Sequence, residues 1–160
     1  MSDGEIVWAV KRSLTRYIRG AGGTIESTGG AWEDEDGRFH FPLTSNADEP
    51  TGLEAGRGVV RMSAHGGLLS LVIADPHLER HGDRTQLSVR LDEHASARTV
   101  MAEVRPAADE PWGGELPWRA SETRLTEAGA DALGALHYFA GQRIDGVELV
   151  ATHHSFANHA

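Results

Sequence analysis

A chain of 160 residues with 39% hydrophobic and 24% charged side chains suffices for one buried core and is short for two, which excludes disorder and a multidomain layout. Its formal charge of −9 repels phosphate backbones and anionic bilayers, so neither nucleic acid nor a membrane is an expected partner. Without cysteine, disulfides, thiolate metal sites and cysteine nucleophiles fall away, leaving His, Asp, Glu and Tyr as metal ligands.

The start, Met1-Ser2-Asp3-Gly4-Glu5, is acidic and lacks the basic and apolar parts of a signal peptide, so a cytoplasmic location is expected. From Glu5 to Arg19, Ile6, Val10, Leu14 and Ile18 recur four apart. That spacing predicts an amphipathic helix, stopped by Gly20, Gly22 and Gly23. Its outer face carries Lys11, Arg12, Arg16 and Arg19 against one acid, Glu5, a basic patch on an acidic protein.

Beyond Gly23 the period changes to two. Short β-prone runs are expected at Thr24–Ser27, Arg38–Leu43, Arg57–Ala64, Leu68–Asp75, Thr85–Leu91 and Arg98–Val104. Glu35-Asp36-Gly37, Gly66-Gly67 and His81-Gly82-Asp83 supply turns between them. The clearest hairpin runs Val59 to Ala64, turns at His65-Gly66-Gly67 and returns along Leu68 to Ile73. The longest apolar run, Leu68 to Ala74, is far below the roughly 20 residues of a membrane span.

Pro106 to Pro117 reads as a long surface connection holding Trp112. Thr126 is a good N-cap for a helix running to about Ala140 and closed by Gly141, and Val147–Thr152 reads as a final strand. Residues 1–152 thus form one domain and 153–160 a polar tail whose His153-His154 pair mimics a metal site.

Enzyme signatures are sparse. Gly20-Ala21-Gly22-Gly23 follows a helix and lacks the lysine of a phosphate loop, and neither a nucleophile-elbow serine nor a His-Glu-x-x-His helix occurs. His77 and His81 lie in a segment that reads as strand, where four residues separate Cα atoms by roughly 13 Å, too far for one zinc. By helix pattern alone Tyr17 is an amphipathic tyrosine at the core edge, and His65 a polar turn residue.

Three blocks change that reading. Trp8-Ala9-Val10-Lys11-Arg12-Ser13-Leu14-Thr15-Arg16-Tyr17-Ile18-Arg19-Gly20, then Gly58 through Ala64-His65-Gly66-Gly67-Leu68 to Pro76, then Leu125-Thr126-Glu127-Ala128-Gly129-Ala130 through Tyr138-Phe139-Ala140-Gly141 to Asp145, stand in the order seen in HtaA-type haem-binding domains, which this chain resembles over residues 8–145. The resemblance implies that Tyr17 ligates haem iron, that His65 stands beside it in the pocket, and that Tyr138, with His137 as neighbouring rival, contributes to binding. A phenolate suits ferric iron, and a histidine hydrogen-bonded to it tunes its basicity. Arg16 and Arg19 would then meet the propionates, and Trp8, Met62 and Phe139 would line the slot. The sequence departs from the family pattern at Ala64, where glycine is usual, at Met62, where an aromatic is common, and at Gly146, where proline is frequent.

The expectation is therefore a mainly β protein, an antiparallel β-sandwich with one N-terminal and one C-terminal α-helix, holding one haem b for intracellular storage, buffering or transfer. Its partners are haem, a protein that donates or accepts it and, across a sheet edge, a second copy of the chain. The alternatives are a haem enzyme acting on peroxide or oxygen, and a haem-free interaction module using Trp112 and Trp118.

Overall fold

The computed structural model describes residues 4–44, 53–106, 118–134 and 138–151. The expected tail, His137, Trp112 and nearly all of the Pro106–Pro117 connection lie outside these residues.

The chain opens with a strand, β1 (Gly4–Trp8), and helix α1 (Arg12–Gly20) follows. The helix expected from Glu5 is thus half strand. Ile6 and Val10 share a helical spacing with Leu14, but Ile6-Val7-Trp8 is also a consecutive apolar run of the kind that fills an interior strand. Tertiary pairing decides between them: β1 lies between β4 (Phe39–Pro42) and β12 (Val147–Ala151), and all five of its residues are buried. Val10, at φ 64, makes the break. Glu5 survives burial because Trp32 Nε1 donates to its Oε2 at 3.0 Å and His40 Nδ1 lies 2.8 Å from its Oε1. His40 Nε2 in turn meets Asp34 at 2.8 Å. Burial alone would raise the Asp34 pKa, but hydrogen bonds from His40 and the Arg38 and Asp36 amides, with the Arg38 charge, hold it at about 2.

The remaining strands are β2 (Thr24–Thr28), β3 (Trp32–Glu33), β5 (Leu53–Ala55), β6 (Val59–Ala64), β7 (Leu69–His81), β8 (Arg84–Arg90), β9 (Thr99–Pro106), β10 (Trp118–Leu125) and β11 (Arg143–Ile144); a second helix, α2, spans Glu127–Leu133. In place of a sandwich of two sheets, the described strands form one antiparallel sheet in the order β2-β6-β7-β8-β9-β10-β12-β1-β4-β3. It nearly closes on itself. β5 pairs with β7, and the Leu43–Gly56 bridge, with Thr44 N–H donating to Ala55 at 2.8 Å and Arg57 N–H to Pro42 at 2.9 Å, joins β4 to β5. The near-closure encloses a core of Ile6, Trp8, Phe39, Phe41, Ile73, Leu78, Leu87, Met101 and Leu149.

The long strand β7 serves two structures. Its second half, His77–Glu79, lies between β5 and β8 inside the barrel, while its first half, Leu69–Ala74, pairs with β6 in the expected hairpin. A bulge between Ala74 and His77 separates the halves, with Asp75 at φ 46 and bonded to Gly58 through both its N–H and its carboxylate at 2.9 Å. Since β8 reaches only to Ala74, Leu69–Ile73 pairs on one edge alone among the described residues.

α2 is capped by Thr126, whose Oγ1 accepts from Gly129 N–H at 2.9 Å. It ends at Leu133 with Gly134 at φ 100, well before the expected Ala140. No described helix is long and apolar enough to cross a membrane.

Candidate functional site

The projecting hairpin, α1 and the end of α2 surround an open cavity of about 580 Å³, within the range of small-molecule sites. α1 contributes Leu14 and Tyr17; β7 and the turn before it contribute His65, Leu68, Leu69, Ser70 and Leu71; the far wall is Ala132, Leu133, Gly134 and Tyr138. The lining is mostly aliphatic, with three aromatic polar groups at its rim.

Local geometry explains how Tyr17 and His65 meet across the fold. α1 ends where Gly22 N–H and Gly23 N–H bond back to Arg19 and Ile18 at 3.1 and 2.8 Å, with Gly22 at φ 76. Gly23 then presses on the hairpin: a Cβ there would stand 2.2 Å from the Ser63 carbonyl. β2 follows at once and pairs Thr24 with Ser63, so the end of α1 is fixed one step from the turn that bears His65. That turn, His65–Gly67, holds φ values of 55, 66 and 96, which suits its glycines and lifts the imidazole away from the sheet. Tyr17 Oη lies 2.7 Å from His65 Nε2, and the rings are 5.7 Å apart and tilted by 57°. Tyr17 is 53% exposed.

Tyr138 lines the same cavity. Burial raises its pKa, against a smaller lowering from its hydrogen bond with Ser13, so it presents a neutral phenol. The structure therefore gathers Tyr17, His65 and Tyr138 around one cavity. The other expected residues do not line it. Trp8 and Met62 are buried in the core, and Phe139 is 64% exposed beside Tyr138. Trp8 sits on β1 instead of a helix, and the alternation of β6 turns Met62 inward. Arg19 is bound to Glu33 at 2.6 and 2.7 Å, and Arg12 to Asp145 at 3.0 Å, whereas Arg16 is exposed on α1 with no ion pair among the described residues. Much of the basic face is thus neutralised by acids from other elements.

Leu14 and the leucines of β7 are cavity residues that sequence reasoning did not single out for the site. All lie inside the first two resemblance blocks, but only the fold turns them toward the same space. Among the described residues no group of three or more His, Asp or Glu side chains is arranged to hold a bare metal ion.

The HtaA family model matches residues 3–150. The chain belongs to the HtaA family. This HtaA-family domain also shares its fold with three solved structures from Corynebacterium glutamicum. The C-terminal domain of HtaA superposes with a TM-score of 0.75 at 24% identity, covering 92% of this chain and 94% of that one. The N-terminal domain of HtaA gives 0.71 at 23% identity over 95% and 98% of the two chains. The heme binding protein HtaB gives 0.70 at 20% identity over 92% of each. A comparison with curated proteins finds no match.

Proposed function

We propose that this HtaA-family domain binds one ferric haem b in the cavity, with the Tyr17 phenolate as iron ligand and His65 hydrogen-bonded to it, for storage, buffering or hand-over of haem. The observation that carries this reading is the 2.7 Å contact between Tyr17 Oη and His65 Nε2 on the wall of a largely aliphatic cavity. The residues present fit the group: a flat apolar macrocycle finds Leu14, Leu69, Leu71 and Leu133, and a hard ferric centre finds an anionic oxygen donor. Bound haem supplies a ferric iron that accepts one protein oxygen.

The chain's own groups do the rest. In the free protein the direction of the hydrogen bond between Tyr17 Oη and His65 Nε2 follows the imidazole tautomer; a Tyr17 phenolate can only accept, from Nε2–H. His65 thereby orients the phenol oxygen and moderates its basicity, as outer groups do at other metal sites. Arg16, which has no ion pair among the described residues, is the guanidinium open to a propionate; Arg19, committed to Glu33, is less so. Membership of the family and likeness to a heme binding protein support haem as the ligand.

Titration of the purified protein with hemin tests the reading. A Soret band and phenolate-to-iron charge-transfer bands should develop, and Tyr17→Ala should weaken both. Binding unchanged in that variant removes Tyr17 from the role.

A further inference from the structure

Helix α1 lacks a cap of its own. Lys11 occupies the N-cap position without a side-chain hydrogen bond, and the first turn holds no acid, so the leading amides need an outside acceptor. Asp145 provides it from the other end of the sequence. Its Oδ1 accepts from Arg12 N–H and its Oδ2 from the Arg12 guanidinium, both at 3.0 Å. Its carbonyl accepts from Trp8 Nε1 at 3.0 Å, and its N–H donates to the Val10 carbonyl at 3.3 Å. One residue thus spans the whole bend from β1 to α1, where Val10 holds φ 64, a conformation that β-branched residues keep only when their surroundings impose it.

Asp145 is itself rigidly placed. Ile144 before it pairs with β10, and Val147 just after it pairs with Trp8 of β1. A nine-residue helix has little stability alone, so its direction is set by its anchors: Gly23 against Ser63 at one end, Asp145 at the other, and Ser13 with Tyr138 along the side.

We propose that Asp145 is a positioning residue for the haem ligand: by capping α1 and holding the Val10 bend, it fixes the Tyr17 phenol on the cavity wall within reach of His65. This rests on the reading of Tyr17 as the ligand. The Arg12–Asp145 ion pair is half exposed on its arginine side and contributes little; the backbone cap carries the effect. Asparagine caps as aspartate does, so the two contributions separate.

The intact wild-type chain, Asp145→Ala, Asp145→Asn and Arg12→Ala are each loaded with hemin, and haem loss to excess apomyoglobin is timed. Asp145→Ala is expected to lose haem roughly tenfold faster, the scale of a lost cap, with weakened phenolate charge-transfer bands, while Asp145→Asn and Arg12→Ala stay within about threefold. Amide exchange of the haem-free proteins gives an independent reading: α1 amides of Asp145→Ala should exchange about tenfold faster while those of β8 and β9 keep wild-type protection. Wild-type haem loss and spectrum in Asp145→Ala overturn the proposal, as does a loss of protection spread evenly over the sheet, which would make Asp145 a residue of the fold at large. A wild type that takes up no hemin overturns the haem reading instead.

Discussion

Tyr17 Oη and His65 Nε2 lie 2.7 Å apart although 48 residues separate them in the chain. The contact is built by backbone: the α1 exit rests on Ser63 through Gly23, and β2 pairs with β6, so a phenol and an imidazole are delivered to one spot. If the imidazole tunes a ligating phenolate, His65→Ala should still bind hemin but with affinity lowered about 10- to 100-fold, as for other outer-group losses at metal sites. Hemin titration and the charge-transfer band position check this.

The propionate role divides the two arginines. Arg16→Gln should weaken hemin binding several-fold and more so at low salt, because an exposed guanidinium acts through a screened charge. Arg19→Gln should change affinity little, since its partner is Glu33. Titrations at two ionic strengths separate the outcomes.

Gly129 lets α2 lie on β9. A Cβ there would stand 2.1 Å from the Met101 carbonyl, a backbone atom that cannot swing aside. Gly129→Ala should therefore cost about 1–3 kcal/mol and lower Tm by several degrees. Because Ala132 and Leu133 on the same helix line the cavity, hemin affinity should fall as well. Thermal unfolding and titration of one preparation test both.

Stability should fall in mild acid through His77. Burial, then the Arg98 charge, lower its pKa from 6.5 to about 4. The unfolded chain takes up this proton below about 6.5 and the folded chain only near 4, so between those limits the fold loses up to about 1.4 kcal/mol per pH unit, and above 6.5 the contribution vanishes. Urea unfolding at pH 7.5 and 5 should show a smaller loss for His77→Asn than for the wild type; an equal loss would reject the assignment.

Much of the fold is legible in the sequence wherever side chains alternate. The β6–β7 hairpin, its His65-Gly66-Gly67 turn and the Thr126 cap all follow from local chemistry. The spacing of four between Ile6 and Val10 predicts helix where β1 stands, and only the pairing of β1 with both β4 and β12 decides for strand. Closure into a barrel rests on the Leu43–Gly56 bridge, a contact no local pattern announces. At the site, the resemblance pointed to Tyr17, His65 and Tyr138, which share the cavity. Trp8 and Met62 were drawn to it by residue type, but strand direction turns them into the core. Asp145 lay at the end of the third block, yet its capping of α1 depends on a bend that begins at Val10.

Resonance Raman spectroscopy of the ferric haem complex bears most directly on the central claim. The wild type should show iron-bound tyrosinate modes that vanish in Tyr17→Phe and shift in His65→Ala. A wild-type complex without such modes, or modes that persist in Tyr17→Phe, would contradict it.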